Sequence, residues 1–311
     1  MNLVRTFALA AAIVLPFIAH AENSCRYSEL LSLPITKLPH QGTFEVRGKI
    51  NGISVNMGLS TGSNRSHLSR KEMVRQGIPM EETRLTSYSS EKVQTVFEAQ
   101  PAEVAIGPLR AENKRFLVID MAQNSRFSAT LGADFLLQTD MELFLSKEQI
   151  KFFKAENCAE RGLSYWDPDA VVVPLASGKN ERPVINVTIN GVKGRALIDT
   201  GTARSVVLVH FAKLAGFKPL PGETPYKYFD ARINDHVNIW KADFEEFAID
   251  NEVIRKPQLS VSSIARPRDR TYDMILGLDF LMAHRLLISV SQEKVYLSYI
   301  GGEVFSSAQK W

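Results

Sequence analysis

Ala196-Leu197-Ile198-Asp199-Thr200-Gly201 sets an apolar run directly against an acid, a hydroxyl and a glycine, and its counterpart earlier in the chain reads Ser60-Thr61-Gly62. Asn51-Gly52 and Asn190-Gly191 lie 139 positions apart, as do Ser60 and Asp199, Arg65 and Arg204, Ser66 and Ser205, and Gly77 and Gly216. One offset over seven identical pairs points to two copies of one folded unit. Leu131-Gly132-Ala133-Asp134-Phe135-Leu136 then returns as Leu276-Gly277-Leu278-Asp279-Phe280-Leu281 at an offset of 145, a net insertion of six residues in the second copy. The same offset relates Leu143-Phe144-Leu145 to Ile288-Ser289-Val290, and Ile150-Lys151-Phe152 to Val295-Tyr296-Leu297. One copy carries an acid that the other lacks.

Before this framework comes a targeting pattern. Arg5 gives a basic start, residues 6–18 are apolar, and Ala19-His20-Ala21 is a small-x-small cleavage site, so residues 1–21 read as a secretory signal peptide. The apolar run is short for a membrane anchor, and no later stretch is long and apolar enough to span a bilayer. The protein is expected to be exported, to a periplasm or the medium, with no membrane span after cleavage. Cys25 and Cys158 are the two cysteines of the chain. In an oxidising compartment they are expected to pair, tying the N-terminal arm to the segment between the copies. No Cys-x-x-Cys spacing argues for a redox role.

Net charge is +3 and falls to +2 when Arg5 leaves, with the basic residues scattered along the chain, which argues against nucleic-acid binding. With 45% hydrophobic and 23% charged residues the chain has enough apolar material for two small cores. His40, His67, His210, His236 and His284 share no metal-ligand spacing, and no glycine-rich phosphate loop is present, so neither metal nor cofactor is expected.

Each copy is read as mostly strand. Phe44, Val46 and Ile50 alternate with polar residues up to Asn51-Gly52, and Val55, Met57 and Leu59 alternate beyond it. Ile185, Val187 and Ile189 lead to Asn190-Gly191, followed by Val192 and Ala196 to Ile198. Alternation about Asn-Gly predicts a hairpin with a type I′ turn, here running straight into the Ser/Asp-Thr-Gly loop. A short helix is expected after each loop. The first starts with a Ser69-Arg70-Lys71-Glu72 capping box and stops at Gly77; the second spans residues 209–215 and stops at Gly216. Further strands are expected over 93–97, 104–106, 116–119, 237–247 and 259–261. The expected divisions are a signal peptide over 1–21, an N-terminal arm over 22–41, a first lobe over 42–157, a linker over 158–180, a second lobe over 181–302 and a tail over 303–311.

A carboxylate placed where a buried strand emerges into a turn is rigidly held and partly desolvated, which suits acid-base work, while Gly201 admits backbone geometry that a side chain would obstruct. Thr200 offers a hydroxyl that stiffens the loop. Asp-Thr-Gly alone is a weak signal, but here an apolar strand precedes it and Ile275-Leu276-Gly277 follows about 75 residues later. That combination resembles the retropepsin-like and pepsin-like aspartic peptidases, over roughly residues 42–300. The resemblance implies a mainly β fold of two tandem β-barrel lobes, a cleft between them, and a peptide or protein substrate. In that family two aspartates, one from each lobe or subunit, share a proton and activate water. Carried over, it makes Asp199 the catalytic acid with Thr200 and Gly201 as loop support, and Ser60, Thr61 and Gly62 the degenerate counterpart.

A serine hydroxyl does not ionise near neutral pH, so within one chain the dyad is incomplete. Two expectations follow. Either the protein is an exported aspartic-type endopeptidase acting through Asp199, its dyad completed by a homodimer that joins two second copies or, in a lesser version, weakly active as a single-Asp monomer, or it is an inactive relative whose cleft binds extended peptide without cutting it, with a purely structural envelope protein as a third reading. Flaps are expected near 85–97 and 226–240, where Tyr88, Tyr228 and Trp240 could touch substrate, although neither flap has a hinge glycine. Asp134 and Asp279 are expected to cap short helices rather than to react.

Overall fold

Asn51-Gly52 and Asn190-Gly191 are left-handed turns with positive φ at all four residues (50° and 78°, 50° and 77°), the geometry Asn-Gly adopts at least cost. They close two hairpins, Thr43–Ile50 with Ile53–Leu59 and Val184–Ile189 with Val192–Ile198. Along Thr43–Ile50 the even-numbered residues Phe44, Val46 and Ile50 are buried, as the period-two pattern requires. The computed structural model describes residues 24–38, 42–88, 93–122, 125–177, 181–220, 222–230, 235–264 and 271–305. The expected signal peptide, His40 and residues 306–311 of the tail lie outside the described residues.

The fold is mainly β. One sheet of ten strands is built from residues 36–131 and a second, of nine, from residues 184–276. From edge to edge both follow the same strand order. In each, the three-residue strand of the Leu-Gly motif runs at the centre: Ala129–Leu131 lies parallel to Ile53–Leu59 and antiparallel to His67–Ser69, as Met274–Leu276 does to Val192–Ile198 and Val206–Leu208. Among the described residues each sheet runs between two edge strands, Met80–Tyr88 and Leu109–Glu112 in the first and Tyr226–Asp230 and Glu252–Arg255 in the second, in keeping with the mainly β two-lobed fold expected from the sequence.

A third sheet joins the two halves. Its six strands are ordered Arg26–Pro34, Gln149–Glu156, Asp140–Phe144, His284–Ser289, Lys294–Tyr299 and Val171–Pro174. The halves meet where Met141 pairs with Ile288 and Leu143 with Leu286. The N-terminal arm and the segment between the copies thus supply the two edge strands of this sheet, where the sequence suggested only an arm and a linker. A single apolar core runs from Phe44 through Phe135 and Met141 to Phe211 and Phe280. A smaller cluster of Phe153, Leu163, Leu287 and Tyr296 packs near the disulfide that joins Cys25 and Cys158.

Helices Arg70–Gln76 and Val209–Leu214 follow the loops, the first closed by Gly77 at φ 65°. Its capping box does not form. Ser69 makes no capping bond, its N–H donates to the Ser128 carbonyl, and Glu72, which would return the second bond, is taken by Arg75, Gln76 and the Ser128 hydroxyl. The stretch read as one strand over 237–247 is two, Asp235–Asp243 and Glu246–Ile249.

Candidate active site

Strands Ile53–Leu59 and Val192–Ile198 deliver their loops to a common point. Each loop is first held by its own Leu-Gly strand: Ser60 N–H donates to the Leu131 carbonyl and Asp199 N–H to the Leu276 carbonyl, both at 3.0 Å. The threonines then tie one loop to the other. Thr61 N–H donates to Thr200 Oγ1 (3.1 Å), Thr200 N–H donates to Thr61 Oγ1 (3.1 Å), and the Thr61 hydroxyl donates to the Ile198 carbonyl (2.7 Å). Both threonines are fully buried, so each of these bonds left unmade would cost about 1–3 kcal/mol.

Asp199 sits in this frame with only 9% of its surface exposed, and Ser60 has the same exposure. Four donors converge on the carboxylate. Oδ1 accepts from Ser60 Oγ at 3.1 Å, Gly62 N–H at 3.0 Å and Gly201 N–H at 2.8 Å, and Oδ2 accepts from the Thr202 hydroxyl at 2.6 Å. Ser60 Oγ lies 3.1 Å from Ser63 Oγ as well. The glycines make this approach feasible. A Cβ on Gly62 would collide with Asp199 Cγ, and one on Gly201 would stand 2.6 Å from Ser60 Oγ. A groove of about 410 Å³, lined by Thr43, Leu59, Ser60, Phe127, Thr130 and Gly201, opens beside the Ser60 hydroxyl.

Among the residues singled out in the sequence, the structure brings together Ser60, Thr61, Gly62, Asp199, Thr200 and Gly201. Tyr88 and Tyr228 lie on edge strands of the two large sheets. Both stand on hairpins, Met80–Tyr88 with Val93–Ala99 and Tyr226–Asp230 with Asp235–Asp243, whose tips at 89–92 and 231–234 lie outside the described residues. Tyr228 packs on Tyr226, and Trp240 on Phe217. Tyr228 is not among the residues lining the groove beside Ser60. Cys25 and Cys158 meet at the six-stranded sheet, apart from this site.

Asp134 and Asp279 are not the helix caps the sequence suggested. Each bonds across to the loop of its own half: Asp134 Oδ1 takes the N–H and hydroxyl of Ser66, and Asp279 Oδ1 takes those of Ser205. The serine hydroxyls accept in turn from Gly132 N–H and Gly277 N–H. These carboxylates therefore brace the Ser60 and Asp199 loops from behind. Burial pushes the Asp279 carboxyl above the ordinary range, against the pull of the Ser205 bonds. His210 and His284 are spent on Asp273 and Glu252.

Thr202 and Ser63 were missed as site residues. The signal was there, because they occupy equivalent positions at the 139-residue offset and both carry a hydroxyl.

Two loops interlocked by threonines over a carboxylate, each beneath a Leu-Gly strand, define an aspartyl-protease type of site. Residues 46–135 and 185–280 both match the aspartyl protease family, together more than half of the 311 residues, and the chain belongs to that family. No curated protein matches it.

Proposed function

We propose that this protein is an exported aspartic-type endopeptidase in which Asp199 is the sole catalytic carboxylate and Ser60 of the same chain takes the place of its partner. The observation that carries this reading is the Ser60 hydroxyl 3.1 Å from Asp199 Oδ1 within the threonine-locked loops. Asp199 takes a proton from water, the water oxygen adds to the scissile carbonyl, and the proton passes to the departing amine as the C–N bond breaks. Ser60 and Thr202 hold the carboxylate in orientation. Without a second carboxyl to donate to the carbonyl oxygen, the rate should fall below that of a full dyad by about 10²–10³, by analogy with loss of one oxyanion donor.

The geometry favours action by one chain. A homodimer that brought two copies of Asp199 together would have to displace Ser60 and undo the Thr61–Thr200 exchange. The Cys25–Cys158 disulfide supports an oxidising compartment, in keeping with the signal sequence at residues 1–21.

The test is to digest a peptide library with the purified mature protein between pH 3 and pH 8 and to read products by mass spectrometry, with light scattering to give the oligomeric state. Cleavage by a monomer, abolished in Asp199→Asn, is the expected result. The serine at position 60 favours a second reading, a cleft that binds extended peptide without cutting it. Saturable binding that persists in Asp199→Asn, with no products from either form, would decide for that alternative.

A further inference from the structure

The loop that carries Ser60 continues through Asn64 and Arg65 into a second groove, of about 620 Å³, whose far wall comes from the other half of the chain at Arg182 and Thr271. Four cations line it: Arg65, Lys114, Arg115 and Arg182. Three are held in place. Lys114 Nζ is 3.0 Å from Asp134 Oδ2 and 5.6 Å from the centre of the Phe116 ring. Arg115 is 3.7 Å from Glu98, and Arg182 donates to Thr271 Oγ1 at 3.1 Å while lying 5.4 Å from the Tyr272 ring centre. Arg65 is exposed and has no ion-pair partner among the described residues.

Three acids line this groove, Glu98, Asp134 and Glu181, and all three are engaged. Asp134 accepts from Ser66 and Lys114, and Glu98 faces Arg115. What remains toward the opening is the guanidinium of Arg65 beside partly exposed Lys114 and Arg115. An arginine fork matches a carboxylate in a bidentate manner, and fixed cations nearby lower the cost of ordering such a pair. The second half repeats the theme. Arg204, the counterpart of Arg65, stands near Lys241, whose amine is pushed down first by burial and then by Arg204.

We infer that the Arg65 groove is a charge-selective subsite that receives a carboxylate of the bound peptide, an Asp or Glu side chain or a free C-terminus, several residues from the bond held at Asp199. The inference rests on the peptide-cleft reading and adds a substrate class to it, peptides acidic at a position away from the cut. The groove begins four residues after Ser60 in one continuous loop and takes its lining from both halves of the chain, as the site at Asp199 does.

Binding tests the subsite without requiring cleavage. Mature disulfide-bonded Asp199→Asn protein is titrated, by fluorescence anisotropy, into labelled ten-residue peptides of Ala, Leu and Phe. One set is amidated with a single Glu at scanned positions, a second replaces Glu by Gln, and a third carries Gln with a free C-terminus. At least one Glu position should bind about tenfold tighter than its Gln twin, a gap that narrows with added salt. A gain confined to the third set would assign the groove to chain ends. Arg65→Gln should erase the preference and leave the amidated Gln peptides unchanged. Equal binding of acid and amide, or a preference that survives Arg65→Gln together with Arg182→Gln, overturns the subsite but leaves the cleft reading intact. If none of the peptides binds, both fall.

Discussion

Position 60 is one carboxyl short of a dyad, yet the room for a carboxyl has been kept. Gly201 stands against Ser60 just as Gly62 stands against Asp199, and each lacks the Cβ that would block its neighbour. The hydrogen-bonded distance of 3.1 Å between Ser60 Oγ and Asp199 Oδ1 is short enough for two carboxyl groups in the same places to share a proton. Ser60→Asp should therefore raise peptide cleavage by about 10²-fold or more and give a bell-shaped pH profile with an acidic limb, as two coupled carboxyls require. A variant that folds with an unchanged rate and profile would mean that the loops no longer place position 60 for catalysis. Ser60 could be read as the missing partner from one repeat offset. The convergence of four donors on Asp199 could not, since two of them come from a loop distant in sequence.

Among the elements, hairpins were legible and end caps were not. An Asn-Gly turn states its own backbone geometry through positive φ, so sequence alone places it. Glu72 and Asp134 have chemistry suited to capping, but Glu72 is taken by Arg75 and Gln76 of its own helix and by Ser128 across the fold, and Asp134 by Ser66, 68 positions away. Strand Asp140–Phe144 makes the same point in the shared sheet. Asp140 is 1% exposed and accepts from Ser289 Oγ and from the N–H and hydroxyl of Ser291. Burial nonetheless pushes its carboxyl above the ordinary value of 3.8. A carboxyl raised on folding contributes stability that is fully present below that ordinary value and is lost as pH rises through the folded one. Urea midpoints of the wild type should thus fall, relative to non-titrating Asp140→Asn, as pH rises from 3.5 toward 7. Parallel curves for the two proteins would remove Asp140 from the account of pH stability.

In the whole molecule, the six-stranded sheet is what holds two repeats as one body. Strand Asp140–Phe144 meets His284–Ser289 there, and fully buried Glu142 meets Arg285, whose guanidinium lies 4.7 Å from the Phe144 ring centre and 4.6 Å from that of Trp166. Removing one side of such a buried pair is costly because the other charge remains desolvated. The Cys25–Cys158 bridge fastens the outer strand Arg26–Pro34 next to this junction and spans 133 residues of sequence. Replacing both cysteines by serine should lower the free energy of unfolding by about 2–5 kcal/mol, measured by urea denaturation with and without reductant. An equal midpoint in oxidised and reduced wild type would show that the sheet alone anchors that strand.

The sequence by itself determined the repeat, its turns, the loop motif with its missing acid and the pairing of two cysteines, because each is a local pattern or a simple correspondence along the chain. Tertiary structure decided the rest: that Ser60 faces Asp199, that Thr61 and Thr200 exchange bonds between loops, and that arm and linker become strands of a shared sheet. Those are contacts between residues more than a hundred positions apart. Backbone donors and acceptors there find partners only once the apolar faces of both halves have packed, so no local pattern announces them.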